Sequence, residues 1–492
     1  MNMNMNRSIA AAISPPIWRC AGSWPRRSGA DRATSASLGC RARDAARNTG
    51  GPPSRTCGWS HVRLFSTWGE VVDPAAEKLL APTGWVKPDA DTHPSGGDWA
   101  ALYLQPLADT LGDRVRYNAT VTGVSRTGRD RIVDADREAQ PFVIHLTGPG
   151  GEERIFARAV IDASGTWSTP SPAGGSGLPA LGEKSAAKQI TYRVPDLKDP
   201  AVRALYAGKR TAVIGSGASA FTALAYLTDL AKAEDCTGTH ATWILRRGIS
   251  GTADQLPARG ALGLAAKAAV DGGHADAVTD FRTESVERDT AGRLVLVGED
   301  GRHLDPVDEV IVLTGFRPDL TFLDELRLGL DERLQAPTEL APLIDPNQHS
   351  CGTVYPHGAT ELSHPEKDVY LAGMKSYGRA PTFLAMTGYE QVRSIAAALA
   401  GDQEAAERVE LTLPETGPTS SRPWSHSRSW PHASPSAPPR RAAPRRSFSA
   451  ARNATAQPAP APSPPLPANV TTGRATPSPA SPSSTAPSGT AA

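Results

Sequence analysis

The chain has 492 residues and a formal net charge of +1, a length that fits roughly two or three domains. Balanced charge gives no reason to expect nucleic acid or an anionic membrane as a partner, and no apolar run approaches the ~20 residues of a membrane helix. The five cysteines lie far apart without a C-x-x-C pair, which argues against a disulfide framework, a zinc or other metal site, and a dithiol redox centre. The cytoplasm is therefore the expected compartment.

The two ends of the chain differ in composition from its middle. Residues 1–57 contain nine arginines, no lysine and only two acidic residues, and the sequence after Glu415 has no acid and no lysine but is rich in Pro, Ser, Ala and Arg. Such segments cannot bury enough apolar surface to offset chain entropy, so disordered N- and C-terminal ends are predicted. For the N-terminal segment, a transit peptide, a natural disordered extension and out-of-frame translation of a GC-rich gene all stay open.

Periodic segments begin near Trp59 and alternate between strand and helix patterns. A helix is predicted from Gly97 to Asp113, with an apolar face made of Trp99, Leu102, Tyr103, Pro106 and Leu107. Strands are predicted at 114–124, 142–146 and 153–156, the last two as a hairpin. A buried strand from Ala159 then runs into the small-residue turn Ser164-Gly165.

The most specific local pattern is the segment from Thr211 to Leu230, which reads as a buried strand, a glycine turn and an amphipathic helix. Its turn has the form G-x-G-x-x-A, a permitted dinucleotide fingerprint. Gly215 allows backbone angles forbidden to other residues, Gly217 lets a pyrophosphate approach the main chain, and Ala220 lets the helix lie close to the strand. We therefore predict that the turn binds a dinucleotide through these six residues: Gly215, Ser216, Gly217, Ala218, Ser219 and Ala220.

The end of the next strand, Thr242–Leu245, indicates which dinucleotide is bound. An NAD site usually places an acid there, whereas this strand is followed by Arg246 and Arg247. Two arginines suit a 2′-phosphate, so NADPH is predicted rather than NADH. A solvated arginine pair at a strand end is the alternative interpretation.

The second half of the chain continues the alternation. A helix is predicted at 261–270, strands at 285–288, 294–298 and 308–313, a strand at 369–374 and a helix at 382–399 that ends at Gly401. The strand at 308–313 is followed by Thr314-Gly315, which repeats the strand-and-turn pattern at 159–165.

Taken together, these segments resemble the two-dinucleotide-binding-domain flavoproteins, and most closely the bacterial flavin-containing monooxygenase-like and pyridine nucleotide-disulfide oxidoreductase-like FAD–NADPH oxidoreductases. The resemblance covers about Trp59 to Thr416 and rests on VIGSGASA, VIDASGTWSTP, EVIVLTGFRPDL and DVYLAGMKSYGRAPTFLAMTGYEQ. It implies an α/β fold with two Rossmann-like FAD/NAD(P)-binding domains and the cofactors FAD and NADP.

The resemblance also implies roles for individual residues. Ser164, Gly165, Thr314 and Gly315 would lie where the chain crosses between the two domains, and Gly373 and Met374 would lie beside the isoalloxazine or the pyrophosphate. Loop residues that the family directs towards the flavin are Arg63, Lys375, Tyr377 and Arg379, although solvated loop side chains are the simpler interpretation for them. No catalytic side chain and no metal ligand is assigned. A small-molecule substrate and a homodimer are the expected partners.

The chain departs from the family pattern in ways that matter for function. The family opens with a strand–GxGxxG–helix unit for the ADP half of FAD, and no such motif precedes Trp59. The first βαβ unit of the FAD domain is therefore predicted to be missing or scrambled, with a severe loss of FAD affinity. The monooxygenase fingerprint before the NADPH motif is absent too, and Cys236 and Cys351 are single thiols.

These departures leave three functions open: a flavin monooxygenase-like oxidoreductase, a flavin-dependent disulfide or quinone reductase on the same scaffold, and a flavin-free NADPH-binding product without activity. The predicted domains are an aberrant or disordered segment (1–58), the first part of the FAD domain (59–195), the NADPH domain (196–324), the second part of the FAD domain (325–412) and the disordered tail (413–492).

Overall fold

The computed structural model describes residues 58–248, 257–348, 356–381 and 383–411. The segments predicted to be disordered at the two ends, except for Gly58, lie outside these ranges, as do Cys351 and Thr382. The described residues form a mixed α/β structure with a parallel sheet, as the sequence predicts.

The described chain begins with a small helical region. Its four short helices are α1 (Trp68–Val71), α2 (Pro74–Leu80), α3 (Gly96–Trp99) and α4 (Gln105–Leu111). A π-helical turn at 100–104 joins α3 to α4, so the predicted helix is present but irregular. Trp99, Tyr103 and Leu107 are buried as predicted, but the prediction for Leu102 is wrong, because its side chain is 50% exposed. The wider turn disturbs the 3.6-residue spacing on which that prediction relied.

Three antiparallel strands follow in the order β1-β2-β3: β1 (Thr120–Arg126), β2 (Phe142–Gly148) and β3 (Gly151–Ala157). The predicted hairpin is confirmed, with Gly148 paired with Gly151 at its tip. Strand β1 begins at Thr120, several residues later than predicted.

The central part of the chain builds a five-stranded parallel sheet. The separate strand β4 (Val160–Asp162) comes first in this part of the chain. The strands of the five-stranded sheet are β5 (Ile190–Thr191), β6 (Arg210–Ile214), β7 (His240–Ile244), β8 (Ala275–Val278) and β11 (Glu309–Val312). Between them come the helices α5 (Pro200–Arg203), α6 (Ala218–Ala231) and α7 (Pro257–Asp271), and a separate antiparallel pair, β9 (Thr283–Arg288) and β10 (Leu294–Gly298). The strand order is β5-β11-β6-β7-β8. The direction of strand addition therefore reverses between β6 and β11, the arrangement of a doubly wound nucleotide-binding sheet.

Apolar residues cover both faces of this sheet. Val213 of β6 packs with Leu224 of α6 on one face, whereas Ala212 and Ile214 pack with the β9–β10 pair on the other. A parallel sheet needs both faces covered, which explains why β6 is buried along almost its whole length.

The last part of the chain returns to β4. It contains α8 (Ala341–Ile344), β12 (Val369–Leu371), α9 (Ala385–Ala400) and α10 (Gln403–Glu407). Strands β12 and β4 form a two-stranded parallel sheet. The strand predicted at 369–374 ends at Leu371, because a 3₁₀ turn occupies Gly373–Tyr377. Gly401 ends α9 in the left-handed conformation, as predicted, with φ of 82°. The predicted domain boundaries remain predictions.

Candidate functional site

The glycine turn between β6 and α6 shows two different requirements for glycine. Gly215 has a φ of +142°, and a Cβ there would lie 2.4 Å from the carbonyl oxygen of Leu313. The carbonyl of Gly215 also accepts a hydrogen bond of 2.8 Å from Trp243 Nε1. Gly215 is thus fixed by packing inside the protein.

Gly217, in contrast, faces open space. It is the N-cap residue of α6, no side chain caps this helix end, and a Cβ on Gly217 would meet no atom within 4 Å. The first N–H groups of a helix have no partner inside the helix, and the helix dipole makes this end positive. Ser216 and Gly217 are exposed, whereas Ala218 and Ala220 are buried. The turn fits a phosphate of an external ligand.

Arg246 and Arg247 follow β7, the strand next to β6 in the sheet, and both side chains are exposed. They lie on the side of β6 where the adenosine ribose of a dinucleotide is read in this class of fold. The contact with a 2′-phosphate remains a prediction.

The segment that follows β4 and the segment that follows β11 are joined by hydrogen bonds. Thr314 Oγ1 donates to the carbonyl oxygens of Ser171 (3.0 Å) and Pro172 (3.1 Å), and the N–H of Ser171 donates to the carbonyl of Gly315 (2.9 Å). Gly315 has a φ of +99°, which favours glycine at this turn. These contacts hold the two predicted crossings side by side.

Aromatic rings reinforce this junction and line a cleft beside it. Trp167 stacks on Phe316 with a centroid distance of 5.2 Å, and the Arg193 guanidinium lies 4.1 Å from the centre of the Trp167 ring. The cleft, here called the aromatic cleft, is lined by Trp59, Val62, Trp167, Ser219, Leu313 and Phe316, among others. Sequence analysis missed it, although an aromatic residue follows closely after the glycine of each crossing.

A buried ion pair lies at the carboxyl ends of β4 and β12. Lys375 Nζ is 2.7 Å from Asp162 Oδ2 and donates to Ser164 Oγ at 2.8 Å, and Asp162 Oδ1 accepts from the N–H of Ser164 at 2.9 Å. The interpretation of Lys375 and Tyr377 as solvated loop residues is wrong, because each side chain is 1% exposed. Lys375 is buried because Asp162 compensates its charge. Arg63 and Arg379 are exposed, in line with that interpretation.

Gly373 and Met374 lie in the same buried region. Gly373 has a φ of +68°, and its N–H donates to Gln391 Oε1 of α9 at 2.6 Å. Met374 is 4% exposed. Gln391 Nε2 in turn lies 2.9 Å from Ser376 Oγ, so β12 and α9 are joined by one hydrogen-bond network. The role of Gly373 and Met374 beside a cofactor remains a prediction.

These residues fit FAD in part. The N-terminus of α9 has no side-chain cap at Leu384, and Gly165 and Gly373, both with positive φ, come shortly after β4 and β12. An uncapped helix N-terminus and glycines at strand ends suit the ring end of a flavin. The described residues contain no second strand–glycine turn–helix unit for the pyrophosphate and adenosine, because the sheet with β4 has only β12 as its other strand. At these strand ends, Asp162, Ser164 and Lys375 are already joined to one another by an ion pair and hydrogen bonds.

The described ranges contain no group of three or more His, Cys, Asp or Glu side chains that could hold a metal ion. Cys236 is buried, and burial raises the pKa of its thiol. No helix in this part of the chain combines the length and apolar character needed to cross a membrane.

No protein-family model matches the chain, and no curated protein matches it. Solved structures with a similar fold include a bacillithiol disulfide reductase from Bacillus cereus, which is 18% identical, with 70% of this chain and 86% of the other covered and a TM-score of 0.49. The cadaverine monooxygenase of desferrioxamine biosynthesis from Erwinia amylovora, bound to FAD, is 14% identical over 76% of this chain and 91% of the other, with a TM-score of 0.44.

A thioredoxin reductase from T. acidophilum is 17% identical over 63% of this chain and 82% of its own, with a TM-score of 0.41. The names of these proteins include both disulfide reductases and a monooxygenase.

Proposed function

We propose that the chain is an NADPH-dependent oxidoreductase of the flavoprotein class, with NADPH bound across the carboxyl end of β6. The observation that carries this proposal is the uncapped N-terminus of α6, where Gly217 faces open space and the neighbouring Gly215 is fixed by packing. A helix N-terminus behind a glycine turn binds phosphate through its free N–H groups and its dipole. Arg246 and Arg247 would then contact the 2′-phosphate.

The residues of the chain bind and orient the nucleotides, and the cofactors supply the redox chemistry. Bound FAD would supply the redox chemistry, which is hydride acceptance from NADPH and electron transfer to oxygen or a small acceptor. Gly165, Gly373 and the N-terminus of α9 are the groups that would hold its ring end. The thiol relay of a dithiol reductase is not supported, because the sequence has no C-x-x-C and Cys236 is buried. This favours direct electron transfer to oxygen or to a small acceptor.

Two further proposals remain beside this one. A disulfide or quinone reductase on the same scaffold would use the same NADPH site with another acceptor. A flavin-free NADPH-binding protein would result if the partial fit to FAD is too weak for binding. We also propose a small-molecule substrate, a homodimer and a cytoplasmic location.

The proposal is tested by calorimetric titration of the purified chain with NADPH and, separately, with NADH. We expect NADPH to bind at least about tenfold more tightly, because charge-assisted hydrogen bonds to the 2′-phosphate contribute about 1.5–3 kcal/mol each. Equal affinities would contradict the NADPH assignment, and no binding of either nucleotide would contradict the proposed function.

A further inference from the structure

Residues 59–64, here called the junction segment, connect the helical region to the five-stranded sheet. The N–H of Gly96, the first residue of α3, donates to the carbonyl oxygen of Val62 at 2.9 Å. The N–H of Gly97 donates to the carbonyl oxygen of Ser60, also at 2.9 Å. The side chain of Val62 is fully buried in the apolar cluster that α6 forms with the sheet. The junction segment therefore contacts the helical region through its backbone and the sheet through a side chain.

His61 lies within the junction segment, and its side chain is 7% exposed. The centroid of its ring is 6.4 Å from that of the Tyr226 ring on α6, and its Nδ1 is 3.9 Å from Asp196 Oδ2. Its other ring nitrogen, Nε2, is buried and has no hydrogen-bond partner among the described residues. The imidazole is thus enclosed between the junction segment and α6, with a carboxylate near only one of its two nitrogens.

These surroundings suit a neutral imidazole. Protonation of Nε2 would create a buried N–H donor without an acceptor, which costs the full desolvation penalty of that group. Burial lowers the pKa of His61 and outweighs the opposing effects of Asp196 and of the backbone at residues 194–195, and Lys198 lowers the pKa further. The stability that a neutral His61 gives the contact is therefore complete above about pH 6.5, the pKa of an unfolded histidine, and is lost as the pH falls through the lowered pKa.

We propose that His61 makes this junction sensitive to acid: protonation of its ring weakens the packing of the junction segment on α6, and the helical region then separates from the sheet more readily. In the described part of the chain, the other titratable groups near the ring are Asp196 and Lys198, which precede α5, and Tyr226 of α6. Among these side-chain types, only an imidazole normally changes its charge between about pH 5 and pH 8. His61 is therefore the group whose titration controls the junction in this range.

Hydrogen exchange of the Gly96 and Gly97 amides measures the junction, because their hydrogen bonds to the junction segment break when it opens. Relative to the intrinsic rate at each pH, we expect exchange to accelerate by up to about tenfold between about pH 7.5 and about pH 5.5, since a released histidine is mostly protonated at the lower pH. His61→Phe keeps a ring against Tyr226 and takes up no proton, so this acceleration should disappear. The same acceleration in His61→Phe, or none in the wild type, would overturn the proposal.

His240→Phe is the matched control, because His240 is a more exposed histidine whose Nε2 lies 2.8 Å from Asp276 Oδ2. Exchange at Gly96 and Gly97 in this variant should accelerate as in the wild type. If the acceleration is lost in His240→Phe as well, the acid response does not come from His61 and the proposal fails. His61→Gln, which is polar and neutral, repeats the test without an aromatic ring and should also show no acceleration.

Discussion

At the scale of single residues, the two glycines of the turn after β6 have different tasks. Gly215 is required by the backbone of the protein itself, since a Cβ would lie 2.4 Å from the Leu313 carbonyl oxygen and its φ is +142°. Gly217 has no such conflict, so its lack of a side chain matters only to a ligand. The two positions can therefore be separated by experiment.

Gly217→Val should weaken NADPH binding about 100-fold or more, because the side chain would occupy the place of the pyrophosphate and remove charge-assisted hydrogen bonds. The melting temperature of the nucleotide-free protein should change little, as a Cβ at this position meets nothing within 4 Å. Gly215→Ala is the matched variant and should lower the melting temperature clearly. Unchanged NADPH affinity in Gly217→Val, measured by calorimetry, would contradict the assignment of the turn.

Arg246 and Arg247 decide between the two nicotinamide nucleotides in this account. The double change Arg246→Glu and Arg247→Glu should weaken NADPH about 10- to 100-fold and leave NADH unchanged, because only NADPH carries the 2′-phosphate. Both side chains are exposed, so folding should be unaffected. If titration gives the same ratio of NADPH to NADH affinity as in the wild type, the arginines are a solvated pair.

At the scale of elements, β11 carries a carboxyl whose ionisation is unfavourable. Burial, with a contribution from Asp308, raises the pKa of Glu309 to about 7. In the unfolded chain the pKa of a glutamate is about 4.3. Between about pH 4.3 and pH 7 the folded state therefore binds more protons than the unfolded state, and the free energy of unfolding falls as the pH rises.

Glu309→Gln should remove this decrease in the free energy of unfolding. Its gain in unfolding free energy over the wild type should grow from about pH 4.5 to about pH 7 and then stay constant, reaching at most about 1 kcal/mol after solvent screening is allowed for. Urea unfolding at several pH values measures this difference. A gain that is the same at pH 4 and pH 8 would refute the titration of Glu309.

A buried charge network joins β1 to the segment before β12. Glu366 accepts from Arg126 Nε at 2.8 Å and from Arg137 Nη2 at 2.8 Å, with all three side chains almost fully buried. Burial alone would raise the pKa of Glu366, but the hydrogen bonds from the two arginines outweigh it and lower the pKa. The contribution of Glu366 to stability is therefore present above about pH 4.3 and lost as the pH falls through its lowered pKa.

Glu366→Gln should cost about 3–5 kcal/mol at neutral pH, because two buried guanidinium groups lose their counter-charge. Glu153→Gln is the control: it removes an exposed ion pair with Arg116 and should cost less than about 1 kcal/mol. Chemical denaturation of the two variants gives the comparison. Similar costs for both would show that the buried network does not stabilise the fold.

The elements whose signals are local could be predicted from the sequence. The strand, glycine turn and helix from Arg210 to Ala231 follow from the alternation of residue types and from the glycine spacing. The pair of Lys375 and Asp162 could not be predicted in this way, since its partners are far apart in the chain and meet only when β12 pairs with β4. The exposure of Leu102 was missed because no local signal marked the π-helical turn.

At the scale of the whole molecule, the two parallel sheets are unequal. The five-stranded sheet presents a complete glycine turn and a switch point, whereas β4 and β12 form a sheet of two strands. Trp167 and Phe316 stack where the chain passes between them. Under the proposed function, the described residues would provide a full nucleotide site for NADPH and only the ring end of one for FAD, which predicts weak FAD binding.

The measurement that tests the central claim most directly is the anaerobic absorbance spectrum of the chain in excess FAD, before and after NADPH is added. The account predicts that NADPH bleaches the flavin band faster than in free FAD, that Gly217→Val abolishes this effect, and that desalting removes much of the flavin. Bleaching no faster than that of free FAD, in a protein shown to bind NADPH, would contradict the claim that the chain is a flavin-dependent oxidoreductase.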